Sequence, residues 1–221
     1  MQDFSIAYNA FYTVFKEFAE DTYPDGISGR KEKLSDIVRS LPLDNPEYRE
    51  TNLFLWIVKA SLHLIPPVPG GGSNLPVCLI LNIVRQIGTV LAAKHHDYGN
   101  SARKPSSFFS GLSAADCILI RIGDKIARAD RLLDGEENLV SESLADTIRD
   151  FIGYAILLYI TLYVDGAELH VDPAQGGDAA DGDRPILLVP SPITYRELAD
   201  LVKRGDFTIC NPNVFDRETG E

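Results

Sequence analysis

Residues 113–133 read SAADCILIRIGDKIARADRLL and residues 141–164 read SESLADTIRDFIGYAILLYITLYV. Ser113 is well placed as an N-cap, since a serine hydroxyl accepts from a free amide of the first turn, so a helix is expected over Ala114–Leu133. Ser141 is read the same way, as the N-cap of a helix that runs to about Val164. The intervening stretch, Asp134 to Ser141, is short enough to make the two helices antiparallel neighbours.

Outward from this pair the chain keeps a helical character. Phe4, Ala7, Tyr8, Phe11, Phe15 and Phe18 recur at three-and-four spacing and put an aromatic stripe on one helix face, suited to a core or to a dimer contact. Tyr23-Pro24-Asp25-Gly26 stops that helix with turn chemistry. A charged segment over Arg30–Arg39 suits a short helix, Pro42 and Pro46 punctuate the chain, and Asn52–Leu64 is helical and apolar. Gly70-Gly71-Gly72-Ser73 is a flexible connection, because no Lys-Ser/Thr pair follows as a P-loop requires. Another apolar helix covers Leu75–Lys94 and gives way to the polar loop His95–Ser101. Beyond Asp165 a Gly/Asp-rich linker, expected to be mobile, precedes a candidate strand at Pro185–Pro190 and a short helix at Tyr195–Arg204. The fold class is therefore all-α, a multi-helix bundle over residues 1–164 with a small mixed C-terminal appendage over 165–221.

Charge and composition exclude several classes. The 221-residue chain carries a formal charge of −11 and is 45% hydrophobic, enough to bury a core. Residues 165–221 hold 12 acids against 5 bases, whereas 1–164 hold 20 against 16, so the appendage supplies most of the negative charge. So acidic a chain gains nothing from counterion release on duplex nucleic acid. The longest uncharged run near the end, Phe151–Val164, is 14 residues, short of the roughly 20 a membrane span needs, and reads as a buried helix. Cys78, Cys117 and Cys210 are odd in number and widely spaced, which favours a reducing cytoplasm over a disulfide framework.

Two constellations carry chemistry. Glu142, Asp146 and Asp150 fall at i, i+4 and i+8 of one expected helix, and like charges stacked in this way call for compensation. Mg²⁺, which prefers carboxylate oxygens, would supply it; first-turn dipole stabilisation together with Arg149 and other bases is the competing account. Arg121, Lys125 and Arg128 share a face of the preceding helix with Asp124, either as ordinary ion pairs or as a grip on phosphate oxygens with Asp124 as a further ligand. Residues 94–131 hold seven bases against four acids, a basic island beside the carboxylates, which is what a metal-bound polyphosphate requires. In the loop, Tyr98 is placed to stack on a base and Asn100 or Ser101 to bond a sugar or phosphate; a plain helix-ending loop is the alternative. No Gly-x-Ser-x-Gly elbow supports a nucleophile.

Lys94 with Asp97-Tyr98-Gly99-Asn100-Ser101, then Arg121-Ile122-x-Asp124-Lys125-x-x-Arg128, then Glu142-Ser143-x-x-Asp146-Thr147-x-x-Asp150-x-x-x-Tyr154, resembles the nucleotide-modification-associated domain of phages and bacteria over about residues 90–162. That helical pattern is in turn similar to the MazG-like all-α nucleoside triphosphate pyrophosphohydrolases, which use Mg²⁺ held by acidic residues on paired helices. Those enzymes show Glu-x-x-Glu and Glu-x-x-Asp, whereas only Asp124 stands on the first helix here. The resemblance implies a cytoplasmic, Mg²⁺-dependent hydrolase of a nucleoside triphosphate or modified deoxynucleotide. Asp124, Glu142, Asp146 and Asp150 would hold metal, and Lys94, Asp97, Tyr98, Asn100, Ser101, Arg121, Lys125 and Arg128 would surround the nucleotide. The alternative is a non-catalytic protein that sequesters a signalling nucleotide or supports base modification. No membrane or duplex nucleic acid is expected as a partner, and the apolar helices are compatible with a homodimer.

Overall fold

The computed structural model describes residues 4–29, 31–66, 74–98, 101–104, 111–138 and 141–166. Six α-helices lie among them: α1 (Phe4–Thr22), α2 (Leu34–Ser40), α3 (Pro46–Ser61), α4 (Val77–Tyr98), α5 (Ala114–Leu133) and α6 (Leu144–Tyr159). The chain past α6 continues as a π-helical turn, Ile160–Val164, closed by the Asp165 amide on the Ile160 carbonyl at 2.9 Å. Among the described residues there is no β-strand beyond an isolated bridge between Ile27 and Leu75, which pins the end of the α1 turn to the start of α4. The all-α bundle expected from the sequence is the architecture found. The appendage read from 165 onward, including its linker, strand and helix, lies outside the described residues after Gly166, as does the glycine run at 70–73.

α6 runs through the middle of the bundle, packed on α5 and α3, with α4 crossing it and α1 lying over α4 and the π-helical turn. Phe151, Ile152, Ala155, Ile156, Leu158 and Ile160 are fully buried. The aromatic stripe of α1 enters this core rather than an outer face: Phe11 and Phe15 stack at 5.5 Å between ring centres, and both meet Phe54 of α3 edge-on. Tyr159 of α6 stacks on Phe54 at 5.1 Å and donates its hydroxyl to Glu50 at 2.8 Å. α1 and α4 approach closely because Gly88 leaves room for Tyr8, whose ring lies 2.1 Å from where a Cβ would stand and whose hydroxyl donates to the Val84 carbonyl.

Helix limits differ from the sequence reading in three places. α3 starts at Pro46, six residues before Asn52, since the Asn45 side chain caps the Glu47 amide and proline's fixed φ and absent N–H suit a first turn. α4 continues through His95, His96 and Asp97 to Tyr98, so the expected polar loop is largely helix. α6 is capped by Ser143, not Ser141: Ser143 and Asp146 form a reciprocal capping box, whereas three residues after Ser141 stands Leu144, which has no acceptor to return.

Length and mean hydropathy mark Val77–Asp97 and Leu144–Val164 as able to cross a membrane, against the expectation that no segment approaches that length. Each window tolerates a few charged residues that the uncharged-run criterion does not. Core helices meet the same measure, and the second segment, with 67% of its window buried, packs as one; for the first the share is 28%.

Candidate functional site

α5 and α6 bring the two chemical constellations together, but through protein–protein charge pairs. Lys125, on the α5 face turned to α6, reaches Asp150 at 2.9 Å and Glu142 at 3.3 Å. Lys94, from the end of α4, meets the other oxygen of Asp150 at 3.2 Å. Burial alone would raise the Asp150 carboxyl, yet the bonds and charges of Lys125 and Lys94 outweigh it and hold the group below the ordinary carboxylate value. Burial likewise works against the Lys125 ammonium, and Asp150 and Glu142 overcome it, raising its pKa.

Because α6 begins at Leu144, the expected three-carboxylate ladder does not exist. Glu142 lies before the cap, where it answers Lys125 and sits 3.8 Å from Arg128. Asp146 is committed to the capping box, bonding the Ser143 hydroxyl at 2.7 Å and Arg149 at 3.0 Å. The Ser143 hydroxyl, its amide and then Arg149 lower the Asp146 pKa. Asp124 is exposed on α5. Among the described residues no three His, Cys, Asp or Glu side chains gather as a metal set, so the four carboxylates do not fit a shared Mg²⁺ site in this arrangement. Arg128 holds the approach to α6 instead of facing an open site: it donates to Thr147 at 3.1 Å and to the Glu142 carbonyl at 2.8 Å, with Asn138 as a further acceptor.

The open site is a cavity of about 550 Å³ between α4, α5, α6 and the 3-10 turn Ser101–Arg103. One wall is apolar, with Ile83, Ile87, Val90 and Leu91 of α4 facing Gly153 and Leu157 of α6. A Cβ at Gly153 would stand 3.4 Å from Leu91, ordinary van der Waals contact, so α4 and α6 lie close here. The remaining wall is cationic: Lys94, Arg103, Arg121 and Arg149 line it with His95, Ser101, Tyr154 and a single carboxylate, Asp150. Arg121 lies over the Tyr154 ring, 6.0 Å from its centre. Arg103 is paired through two nitrogens with Asp165, its side chain only 3% exposed, and its Nη1 is buried without a hydrogen-bond partner.

Of the residues singled out from the sequence, the structure gathers Lys94, Ser101, Arg121 and Asp150 around this cavity and places Lys125, Glu142 and Arg128 in the supporting network. Asp97 is exposed near the α4 end beside His96; Asn100 and the Tyr98 side chain lie outside the described residues. Arg103, Arg149 and the apolar wall of α4 were missed. Arg149, Gly153 and Leu157 repeat at four-residue intervals, the one signal that marked them as sharing a face.

Residues 94–162 match the family model described as nucleotide modification associated domain 1. The matched segment supplies every cavity-lining residue that carries charge, while the apolar wall of α4 precedes it. The likeness to MazG-like pyrophosphohydrolases is not shown. No curated protein and no solved structure matches the chain.

Proposed function

We propose that the cavity between α4, α5 and α6 binds a nucleotide and that the domain serves nucleotide or base modification by holding this ligand. The supporting observation is the division of one cavity into an apolar wall and a cationic wall within and beside the segment matched to a nucleotide-modification-associated domain. A base and sugar are amphipathic, and ligand sites of about 300–1,000 Å³ with a few convergent polar groups suit molecules of that size. The base packs between the α4 side chains and Tyr154, and the phosphate meets the cationic wall, where charge-assisted bonds to oxyanions are stronger than neutral ones. Asp150 holds Lys94 and Lys125 in position.

Binding needs no rearrangement of the charge pairs. Metal-assisted hydrolysis requires Lys125 to release Glu142 and Asp150 first, which makes retention of intact ligand the better-supported reading. Calorimetric titration with a panel of nucleotides is expected to show saturable binding that weakens on Tyr154→Ala, with ligand recovered intact by chromatography. Failure of every nucleotide to bind overturns the reading. Phosphate or pyrophosphate release in Mg²⁺, abolished by Asp150→Asn, establishes the hydrolase in its place.

A further inference from the structure

Among the described residues, each cation lining the cavity has a carboxylate partner except Arg121. Arg103 is answered by Asp165, Arg149 by Asp146 and Lys94 by Asp150. Arg121 faces the Tyr154 ring. Lys125 adds a positive charge behind Asp150, and Glu142 offsets it. Arg128 stands 3.8 Å from the same Glu142, so the wall and its partners hold six cations against four carboxylates among the described residues, a surplus of two charges.

To this surplus the structure adds an unused donor. Among the described residues Arg103 Nη1 is buried with no hydrogen-bond partner, although the same guanidinium spends Nε and Nη2 on Asp165. A buried charged donor left without an acceptor is costly, and side chains in native folds are rarely left so unless a ligand or water completes them. Arg103 borders the cavity from the 3-10 turn, next to Ser101 in the same turn, while Arg121 borders it from α5. An anion seated against this corner would meet one almost fully buried guanidinium and one with no competing carboxylate.

We infer that the ligand of this cavity is a nucleoside monophosphate bound without a divalent metal, its phosphate seated between Arg103 and Arg121. The inference rests on the nucleotide reading of the site and narrows it to one phosphate. A phosphomonoester carries about −1.5 to −2 at neutral pH, close to what a surplus of two cations can answer. Every further phosphoryl group adds about one more negative charge, which polyphosphate sites meet with Mg²⁺ on free carboxylates. The one carboxylate lining this cavity, Asp150, is already bonded to two ammonium groups. A longer phosphate chain would therefore bring more charge than the wall compensates.

Equilibrium binding of deoxynucleoside mono-, di- and triphosphates of the same bases, each measured in EDTA and in Mg²⁺, tests this directly on the full chain. The monophosphate is expected to bind equally well in both buffers, and in EDTA the triphosphate at least about tenfold more weakly. Arg121→Gln, at an exposed position that leaves the core untouched, should cost the monophosphate about tenfold to a hundredfold, a larger loss than it causes for the unphosphorylated nucleoside. Arg103→Gln should act in the same direction; if it lowers the melting temperature sharply, the Arg121→Gln result stands alone. A triphosphate that binds as tightly as the monophosphate in EDTA, or a monophosphate that needs Mg²⁺, overturns the inference while leaving nucleotide binding intact. An unchanged monophosphate affinity in Arg121→Gln also overturns it, and silence from all nucleotides removes the nucleotide reading as well.

Discussion

The first two turns of α6 and its remaining turns belong to the same helix but solve opposite packing problems. From Ser143 to Asp150 the helix presents a capping box, an arginine that lines the cavity and a carboxylate gripped by two lysines. From Phe151 to Ile160 most of its side chains are buried, with Phe54, Phe11 and Tyr163 around Tyr159, while Gly153, Tyr154 and Leu157 border the cavity. The apolar end is held by contact area, which has no direction, so what it needs is volume. The polar end is held by charges that have left water, so each one needs its particular partner. A substitution that removes volume should be felt at one end, and a substitution that removes a partner at the other.

The largest effect is expected at the aromatic end. Phe54 is 2% exposed and meets the rings of Phe11, Phe15, Phe18 and Tyr159, so Phe54→Ala should destabilise the fold by about 3–5 kcal/mol in urea denaturation. A loss below about 1 kcal/mol would mean that this cluster is not what secures α1 and α3 to α6.

Lys125→Met keeps the volume at the polar end and removes the shared partner of Glu142 and Asp150. Since the Lys125 side chain is 20% exposed and its partners are about a third exposed, a destabilisation of about 1–2 kcal/mol is expected, well short of that for a fully buried pair. The pH dependence gives the contrast a sign. Asp150 has a folded pKa below the ordinary aspartate value of 3.8, so its contribution is present above that pH and is lost as the pH falls through the lower folded value. In Lys125→Met burial is opposed only by Lys94, so acid unfolding should begin at higher pH. The stability difference between the two proteins should be constant near neutrality and shrink below about pH 4. A difference that persists undiminished in acid would assign the effect to packing.

The smallest effect separates two serines. Ser143→Ala should cost about 1 kcal/mol through loss of the cap, and Ser141→Ala, exposed ahead of the helix, less than about 0.5 kcal/mol by chemical denaturation. Equal values would undo the assignment of the α6 start.

That start also decides how much of the site was legible. The α5 limits were readable to the residue because Ser113 and Asp116 form a capping box in sequence, with bonds spanning three positions. The α1 stripe was readable because its period matches a helix face, and the structure decided between the two places it suited by turning it into the core. For α6 two serines competed, and choosing the earlier one placed Glu142 on a helical face it does not occupy. The basic island beside the carboxylates was a correct sign that charges of both kinds meet there. Composition held no information on which cation would be consumed by pairing and which left facing a cavity: Lys125 and Arg128 were consumed, and Arg121 was left.

The chain's own order of residues determined the helical class, the α5 limits and the aromatic stripe of α1, because caps and periodicities act between residues at most four positions apart. Only the packed structure decided that Arg103 would meet Asp165, 62 positions away, that Lys125 would bridge two carboxylates, and that Arg149 would line the same cavity as α4. Such meetings depend on how helices rotate about their axes and where they cross. Those angles follow from close contacts such as Tyr8 against Gly88 and Leu91 against Gly153, which no single helix carries within itself.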